Sequence, residues 1–116
     1  MSELKVHVAE GFDALSARVA DAWHRAEHGE PVAESHVSFE SWEGLARALS
    51  GKRLELLRRL HQNPAASIAE LARTLGRDYK RVHEDVETLT NAGLIERADN
   101  GALTAGYDQI RTTIAL

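Results

Sequence analysis

Between Ser67 and Leu103 the apolar residues recur first at helical spacing and then in short runs that are typical of strands. The first helix of this stretch is predicted to begin after Ser67, because Ser67 and Glu70 form a capping-box pattern in which each side chain satisfies a free amide. Gly76 is placed to end it. The predicted apolar face of this helix consists of Ile68, Leu71, Ala72 and Leu75.

A second, longer helix is predicted about three residues later, with Asp78 as its N-cap and Gly93 at its end. Leu94–Ile95 is then predicted to start a strand that turns at Asn100–Gly101. Two helices joined by a short turn and followed by a hairpin make a winged helix-turn-helix, a unit that usually binds DNA. The inner face of the second helix is predicted to hold Val82, Val86 and Leu89.

The N-terminal part adds a strand and a long helix. Leu4–Val8 alternates apolar and polar residues, and Phe12–His28 has helical periodicity that Gly29 and Pro31 end. Glu30–Glu34 is predicted to be a loop. A DNA-reading unit needs neither element, so both are assigned to dimerisation or to a partner. The apolar stripe of the helix consists of Phe12, Leu15, Val19, Trp23 and Ala26.

Further elements precede and follow the central stretch. Val37–Phe39 is a possible strand, and Ser41 is predicted to cap a short helix with Trp42, Leu45 and Leu49 on one face. Ser50 is predicted to cap Lys52–His61, which ends at Asn63–Pro64 and turns Leu54, Leu57 and Leu60 inward. Tyr107–Leu116 is predicted to be a strand that pairs either with Leu4–Val8 or with a second subunit.

These elements predict a mainly helical α+β protein with a winged helix-turn-helix core, an N-terminal strand–helix extension and a C-terminal strand. Residues 1–40 form the predicted dimerisation or partner region, residues 41–106 the DNA-binding domain, and residues 107–116 the C-terminal strand. At 116 residues the chain is long enough to bury a modest core.

Composition narrows the function classes. The chain has no cysteine, which excludes disulfides and thiolate sites, and it has no apolar run long enough to cross a bilayer. We therefore expect a cytoplasmic protein without membrane contact. The net charge is −4, but residues 1–49 carry nine acids and four bases, whereas residues 50–116 carry nine acids and ten bases. Phosphates respond mainly to nearby charges, so a basic face on an acidic protein can still bind DNA.

The second helix carries the main candidates for DNA contact. Its first turns would reach base edges in the major groove, and we expect Lys80, Arg81 and His83 to meet DNA there. Tyr79 and Arg77 would contact phosphate or base. Candidates outside this helix are Arg97 in the hairpin, which would enter the minor groove, Asn100 at its tip, and Ser67 and Arg73 near backbone phosphates.

Three acidic residues of the same helix bear on this hypothesis. Glu84 and Glu87 are predicted to point outward, where a carboxylate repels phosphate unless it accepts a hydrogen bond from cytosine. Asp85 lies at the edge of the inner face, and we expect it to pair with an arginine of a neighbouring helix.

Metal binding and catalysis have little support. Asp21, His24 and His28 share one stripe of the long helix, and two imidazoles with a carboxylate can bind zinc. Scattered histidines on a helix surface are common, however, and no metal or other cofactor is assigned. Neither a glycine-rich phosphate loop nor a nucleophile-elbow pattern is present, so we do not expect an enzyme.

The segment Leu54–Leu103 resembles the winged helix-turn-helix regulators of the MarR and ArsR type. Arg77–Val86 and Ala92–Arg97 are closer still to a family of small prokaryotic predicted regulators, some of which look like the DNA-binding antitoxin of a toxin–antitoxin pair. The likeness covers about three quarters of the chain and includes three shorter motifs, Phe39–Ser41, Leu49–Arg53 and Tyr107–Asp108. It implies a DNA-binding regulator with a possible cognate toxin.

The sequence thus predicts a dimeric, sequence-specific regulator that represses its own operon from an inverted repeat in double-stranded DNA. The main alternative is a winged-helix module for protein–protein interaction, which the net acidity and the outward Glu84 and Glu87 favour. A ligand-sensing regulator is a third class, and it would need a pocket between the N-terminal helix and the core.

Overall fold

The computed structural model describes residues 3–9, 12–27 and 35–116, and for residues 12–15 and 35 it describes the backbone only. The fold is α+β and mainly helical, as the apolar spacing predicts. In chain order the described elements are β1 Glu3–Val8, α1 Phe12–Glu27, β2 Ser35–Phe39, α2 Trp42–Ala48, α3 Gly51–Gln62, α4 Ile68–Leu75, α5 Tyr79–Asn91, β3 Glu96–Arg97, β4 Leu103–Thr104 and β5 Gln109–Ile114.

β1 is the central strand of a three-stranded sheet in the order β2-β1-β5, and both of its neighbours run parallel to it. Its burial alternates because successive side chains of a strand point to opposite faces. Leu4, Val6 and Val8 are buried in the core, whereas Lys5 and His7 lie half-buried on the other face. The predicted strand Leu4–Val8 is therefore confirmed with one added residue.

The C-terminal strand pairs with β1 of the same chain, in the register Leu4 to Ile110 and Val8 to Ile114. Of the two predicted pairings, the one within the chain is the one observed. The strand is shorter than predicted, since Tyr107 and Asp108 belong to its connection.

His61 of α3 anchors that connection. Its Nδ1 lies 2.6 Å from the carbonyl oxygen of Ala105, and its Nε2 lies 3.3 Å from a carboxylate oxygen of Asp108. α3 is thereby tied to the segment that leads into β5.

The predicted serine caps of α2 and α3 are present. Ser41 accepts a hydrogen bond from the amide of Gly44 at 3.1 Å, and Ser50 accepts one from the amide of Arg53. The predicted inner face of α3 is wrong at one position, because Leu56 is fully buried and Leu54 only half-buried. Leu54 and Leu56 flank Leu57 on opposite sides of the helix, and either one completes a continuous apolar face with Leu57 and Leu60, so spacing alone does not separate these two.

The strand predicted from Leu94 begins two residues later, at Glu96. The amides of Leu94 and Ile95 both donate to the carbonyl oxygen of Leu89, so this apolar pair closes the end of α5 instead of opening the hairpin. β3 and β4 then pair antiparallel around the predicted turn, where Gly101 has a φ of +89°. Leu103 also exchanges two backbone hydrogen bonds with Ala65, which joins the hairpin to the segment before α4.

Buried residues of β1, α2–α5 and the hairpin form one hydrophobic cluster. None of the α1 side chains that the structure describes belongs to this cluster. Arg18 donates to Ser38 of β2 at 3.4 Å, and Val19 and Trp23 are 60% and 70% exposed. The predicted helix end at His28, the stop at Gly29 and Pro31 and the loop Glu30–Glu34 lie outside the described residues. Within the described part, no helix is both long and apolar enough to cross a bilayer.

Candidate nucleic-acid interface

α4 and α5 are separated by three residues, and the sequence fixes both ends of that turn. Gly76 adopts the left-handed conformation with a φ of +64°, and its amide donates to the last carbonyls of α4. Asp78 then caps α5 by accepting from the amide of Arg81 at 3.3 Å. Both of these predictions are confirmed, and together they set the angle at which α5 leaves α4.

Only half of the predicted capping box at α4 forms. The Ser67 hydroxyl accepts from the amide of Glu70 at 3.1 Å, but the Glu70 carboxylate makes no return bond with the part of the chain that the structure describes. The Ser67 hydroxyl is therefore committed to the helix start. Contact with a phosphate would come from the amides around it.

Three candidate cations are exposed and available. Lys80 and Arg81 lie in the first turn of α5, and Arg73 lies near the end of α4. None of these side chains forms a hydrogen bond or an ion pair with a residue in the described ranges. Tyr79 is 53% exposed beside them, and its ring centroid lies 6.0 Å from that of His83.

Arg77 occupies a different environment. Its guanidinium donates to a carboxylate oxygen of Asp85 at 2.7 Å, while the Nε of Arg53 donates to the other oxygen at 3.0 Å. The Asp85 side chain is 11% exposed and that of Arg77 19%. The predicted pairing of Asp85 with an arginine of a neighbouring helix is confirmed for Arg53, and Arg77 from the α4–α5 turn joins it. Arg53 thus holds α5 against α3, and Arg77 ties the α4–α5 turn to α5 with the group that was predicted to meet DNA.

His83 and Arg97 share one carboxylate. Glu87 lies one turn after His83 on α5, with its Oε1 3.8 Å from the Nε2 of His83. The Nη1 of Arg97 reaches the same oxygen from the hairpin, at 3.6 Å. The hairpin candidate and the helix candidate therefore meet at Glu87, and both remain accessible from solvent.

Asn100 is exposed in the hairpin turn, where its side-chain oxygen accepts from the amide of Ala102 at 3.0 Å. This bond is the Asx-type contact that makes asparagine common in turns. Its carboxamide nitrogen has no partner among the described residues, so a donor remains at the tip.

Two residues of this surface were missed at the sequence level. Arg53 was assigned no role, and its contact with Asp85 depends on how α3 packs on α5, which spacing does not reveal. Glu87 was considered only as a carboxylate that faces DNA, where it would repel phosphate or accept a hydrogen bond from cytosine. The i, i+4 spacing from His83 to Glu87 was a visible signal for half of its contacts.

A metal site on α1 and a ligand pocket beside α1 were also considered from the sequence, and both lie outside this surface. No group of three potential metal ligands occurs within the described ranges. Asp21 pairs with Arg25 at 3.0 Å, and His28 lies outside those ranges. The ligand-sensing alternative needs a pocket between α1 and the core, and a cleft of about 480 Å³ lies between α1 and β2, bordered by Val19, Trp23 and His36. A second cleft, of about 330 Å³, opens between α3 and the connection to β5.

A family model, HVO_A0114, matches residues 48–112, which is more than half of the chain. The chain belongs to the HVO_A0114 family. The match runs from the end of α2 into β5, so the family region includes every candidate residue described above, whereas β1, α1 and β2 precede it. No curated protein and no solved structure is significantly similar to the chain.

Proposed function

We propose that this member of the HVO_A0114 family is a sequence-specific DNA-binding regulator of transcription built on a winged helix-turn-helix. In this assignment α3, α4 and α5 are the three helices, and β3 with β4 is the wing. The three-residue turn between α4 and α5 and the hairpin directly after α5 support the assignment.

The observation that carries the DNA proposal is the pair Lys80 and Arg81. Both project from the capped first turn of α5, and neither is neutralised by a residue in the described ranges. The first turns of a recognition helix are those that reach base edges in the major groove. Lysine and arginine suit the acceptors of guanine, and a good bidentate contact discriminates by about 1–3 kcal/mol.

Dimerisation is the second part of the proposal. A dimer presents two recognition helices about one DNA turn apart and so reads an inverted repeat. α1 supplies a suitable surface, because Val19 and Trp23 are exposed on an element outside the helix-turn-helix. Repression of the protein's own operon is the simplest regulatory role for such a dimer.

An antitoxin role extends the proposal to a protein partner. Residues 1–49 carry five more acids than bases, and this part of the chain includes β1, α1 and β2. An acidic surface outside the DNA-binding unit suits a basic cognate toxin. Co-expression with the product of the adjacent gene tests this role, and recovery of the two proteins without a stable complex would remove it.

The proposal is tested by fluorescence anisotropy with the duplex upstream of the gene and a scrambled duplex, over a salt series. We expect tighter binding to the upstream duplex, weakening as salt rises. Lys80→Ala with Arg81→Ala should abolish specific binding without unfolding the protein. Arg58→Ala with Arg59→Ala is the matched control, since it removes the same charge from exposed positions of α3.

The alternative is a winged-helix module that binds proteins and never touches DNA. The shared carboxylate of Glu87 and the net charge of −4 favour it. Absence of binding to either duplex at low salt, with the protein folded, would favour this alternative over DNA recognition. Equal loss in the α3 control variant would likewise remove α5 as the reading element.

A further inference from the structure

Glu87 forms the contact between the proposed recognition helix and the proposed wing. Its Oε1 lies 3.6 Å from Arg97 Nη1 and 3.8 Å from His83 Nε2. Both partners are candidate DNA contacts, and one carboxylate faces them both. The electrostatic attraction that Arg97 and a protonated His83 offer to a phosphate is therefore already partly satisfied within the protein.

The geometry of these contacts indicates that they exchange easily. Distances of 3.6 and 3.8 Å exceed those of a charge-assisted hydrogen bond, and the side chains of Glu87 and Arg97 are 50% and 43% exposed. The contact between Arg77 and Asp85 differs on both counts, since it measures 2.7 Å and its carboxylate is 11% exposed. Asp85 therefore fixes its arginine in the fold, whereas Glu87 holds its partners loosely.

We propose that Glu87 is an internal competitor of DNA phosphate for Arg97 and His83, and that it weakens every binding mode in which these side chains contact phosphate. This inference rests on the proposed DNA-binding function. Non-specific binding consists almost entirely of phosphate contacts, so each cation that must first leave a carboxylate reduces it. On the operator, base contacts from Lys80 and Arg81 offset the same cost.

Glu87→Gln tests the competitor directly, because it removes the charge and keeps the shape. Exposed ion pairs are weak and Glu87 faces two partners, so we expect binding to a scrambled duplex to tighten by about threefold to tenfold. Binding to the upstream duplex should tighten by a similar factor, because the same side chains leave Glu87 in both complexes. The midpoint of thermal unfolding should stay within about 2 °C of the parent, since a surface pair contributes little to stability.

Glu84→Gln is the matched control. Glu84 is exposed on the same helix, three residues earlier, and forms no ion pair with the described part of the chain. Its substitution changes the net charge equally, so it measures the gain that comes from net charge alone. A gain for Glu87→Gln no larger than that for Glu84→Gln would overturn the inference.

A double-mutant cycle with Arg97→Ala identifies the mechanism. Because the competitor acts through its partners, the gain from Glu87→Gln should fall by half or more once Arg97 is absent. If Glu87 instead positioned Arg97 for DNA, or read a cytosine, Glu87→Gln would weaken binding to the upstream duplex. The inference would be overturned by that weakening, or by a gain from Glu87→Gln that is unchanged when Arg97 is absent.

The same titrations separate this inference from the proposed function. If the parent protein, Glu87→Gln and Glu84→Gln all fail to bind either duplex at low salt, the DNA-binding function fails and the competitor with it. If the parent binds the upstream duplex and Lys80→Ala with Arg81→Ala abolishes that binding, the function stands. An unchanged Glu87→Gln variant would then overturn the competitor alone.

Discussion

Asp85 is the one buried charged residue among those the structure describes, and it compensates its burial by binding two guanidinium groups. A buried carboxylate is costly unless hydrogen bonds replace its hydration. Arg53 and Arg77 supply these bonds from two different segments. The same arrangement takes Arg77 away from the exposed surface, although it is one residue from the cap of the proposed recognition helix.

Asp85→Asn is expected to lower the free energy of unfolding by about 2–4 kcal/mol, because two partly buried arginines lose their counter-charge. Urea denaturation of the purified protein measures this. Asp99→Asn is the control: Asp99 is exposed in the hairpin turn without a partner in the described ranges, so a change within about 0.5 kcal/mol is expected. Similar losses in both variants would contradict the structural role of Asp85.

At the residue scale the sequence predicts caps better than partners. Ser67, Gly76 and Asp78 act within three or four residues of themselves, so a local pattern identifies them. The contact of Arg77 with Asp85 belongs to an arrangement in which α3 brings Arg53 to the same carboxylate. Arg53 and Asp85 are 32 residues apart in the sequence. Spacing along one helix contains no information about that approach.

The turn between α4 and α5 is the element on which the proposed DNA-binding surface depends. It is short because Gly76 reverses the chain in a conformation that L-residues with a side chain rarely adopt. An added Cβ at Gly76 would meet no atom within 4 Å, so any effect of substitution there comes from the backbone alone.

Gly76→Ala is therefore expected to destabilise the protein by about 1–2 kcal/mol. Gly51→Ala provides a comparison of opposite sign. Gly51 begins α3, its Cβ position is equally open, and alanine there should be neutral or stabilise by up to about 1 kcal/mol. Thermal or urea unfolding of both variants measures the difference. Equal effects would contradict the backbone explanation.

The hairpin shows why element boundaries are harder to predict than elements. Leu94 and Ile95 have the composition of a strand, yet their amides bond to the end of α5 and their side chains are buried. A buried pair of apolar residues can follow the end of a helix as well as lie in a strand, so apolar composition alone does not distinguish the two. The turn at Asn100–Gly101 was predictable because its chemistry is local.

At the scale of the whole molecule, the sheet joins segments that are far apart in sequence. β1 is central and β5, more than 100 residues later, lies beside it. The alternation in Leu4–Val8 predicted a half-buried strand. It did not show whether the C-terminal strand pairs with Leu4–Val8 or with a second subunit. Parallel order and register follow from packing that the local pattern does not contain.

Amide hydrogen exchange tests this order. The backbone of β1 is paired on both sides, whereas β2 and β5 each have one unpaired edge in the described sheet. We expect slower exchange for the amides of Leu4–Val8 than for those of Ser35–Phe39 and Gln109–Ile114. Faster exchange in β1 than in either neighbour would contradict the strand order.

The proposed dimerisation through α1 is also tested at the scale of the whole molecule. Trp23→Ser removes a large exposed side chain, and anchors of this kind contribute about 2 kcal/mol or more, so the dimer dissociation constant should rise about 30-fold. Trp42→Ser is the control, since Trp42 is 54% exposed on α2. Light scattering across a concentration series measures both. A larger effect at Trp42 would move the interface to α2.

The position of β5 has a consequence for synthesis. The proposed DNA-binding unit, from α3 to β4, is complete once Thr104 has left the ribosome, but β1 lacks its second neighbour until Ile114 has followed. Between these moments the backbone edge of β1 that pairs with β5 is unpaired. A nascent chain that stops in this interval carries a complete proposed DNA-binding unit beside an unpaired edge of β1, and an unpaired strand edge promotes aggregation.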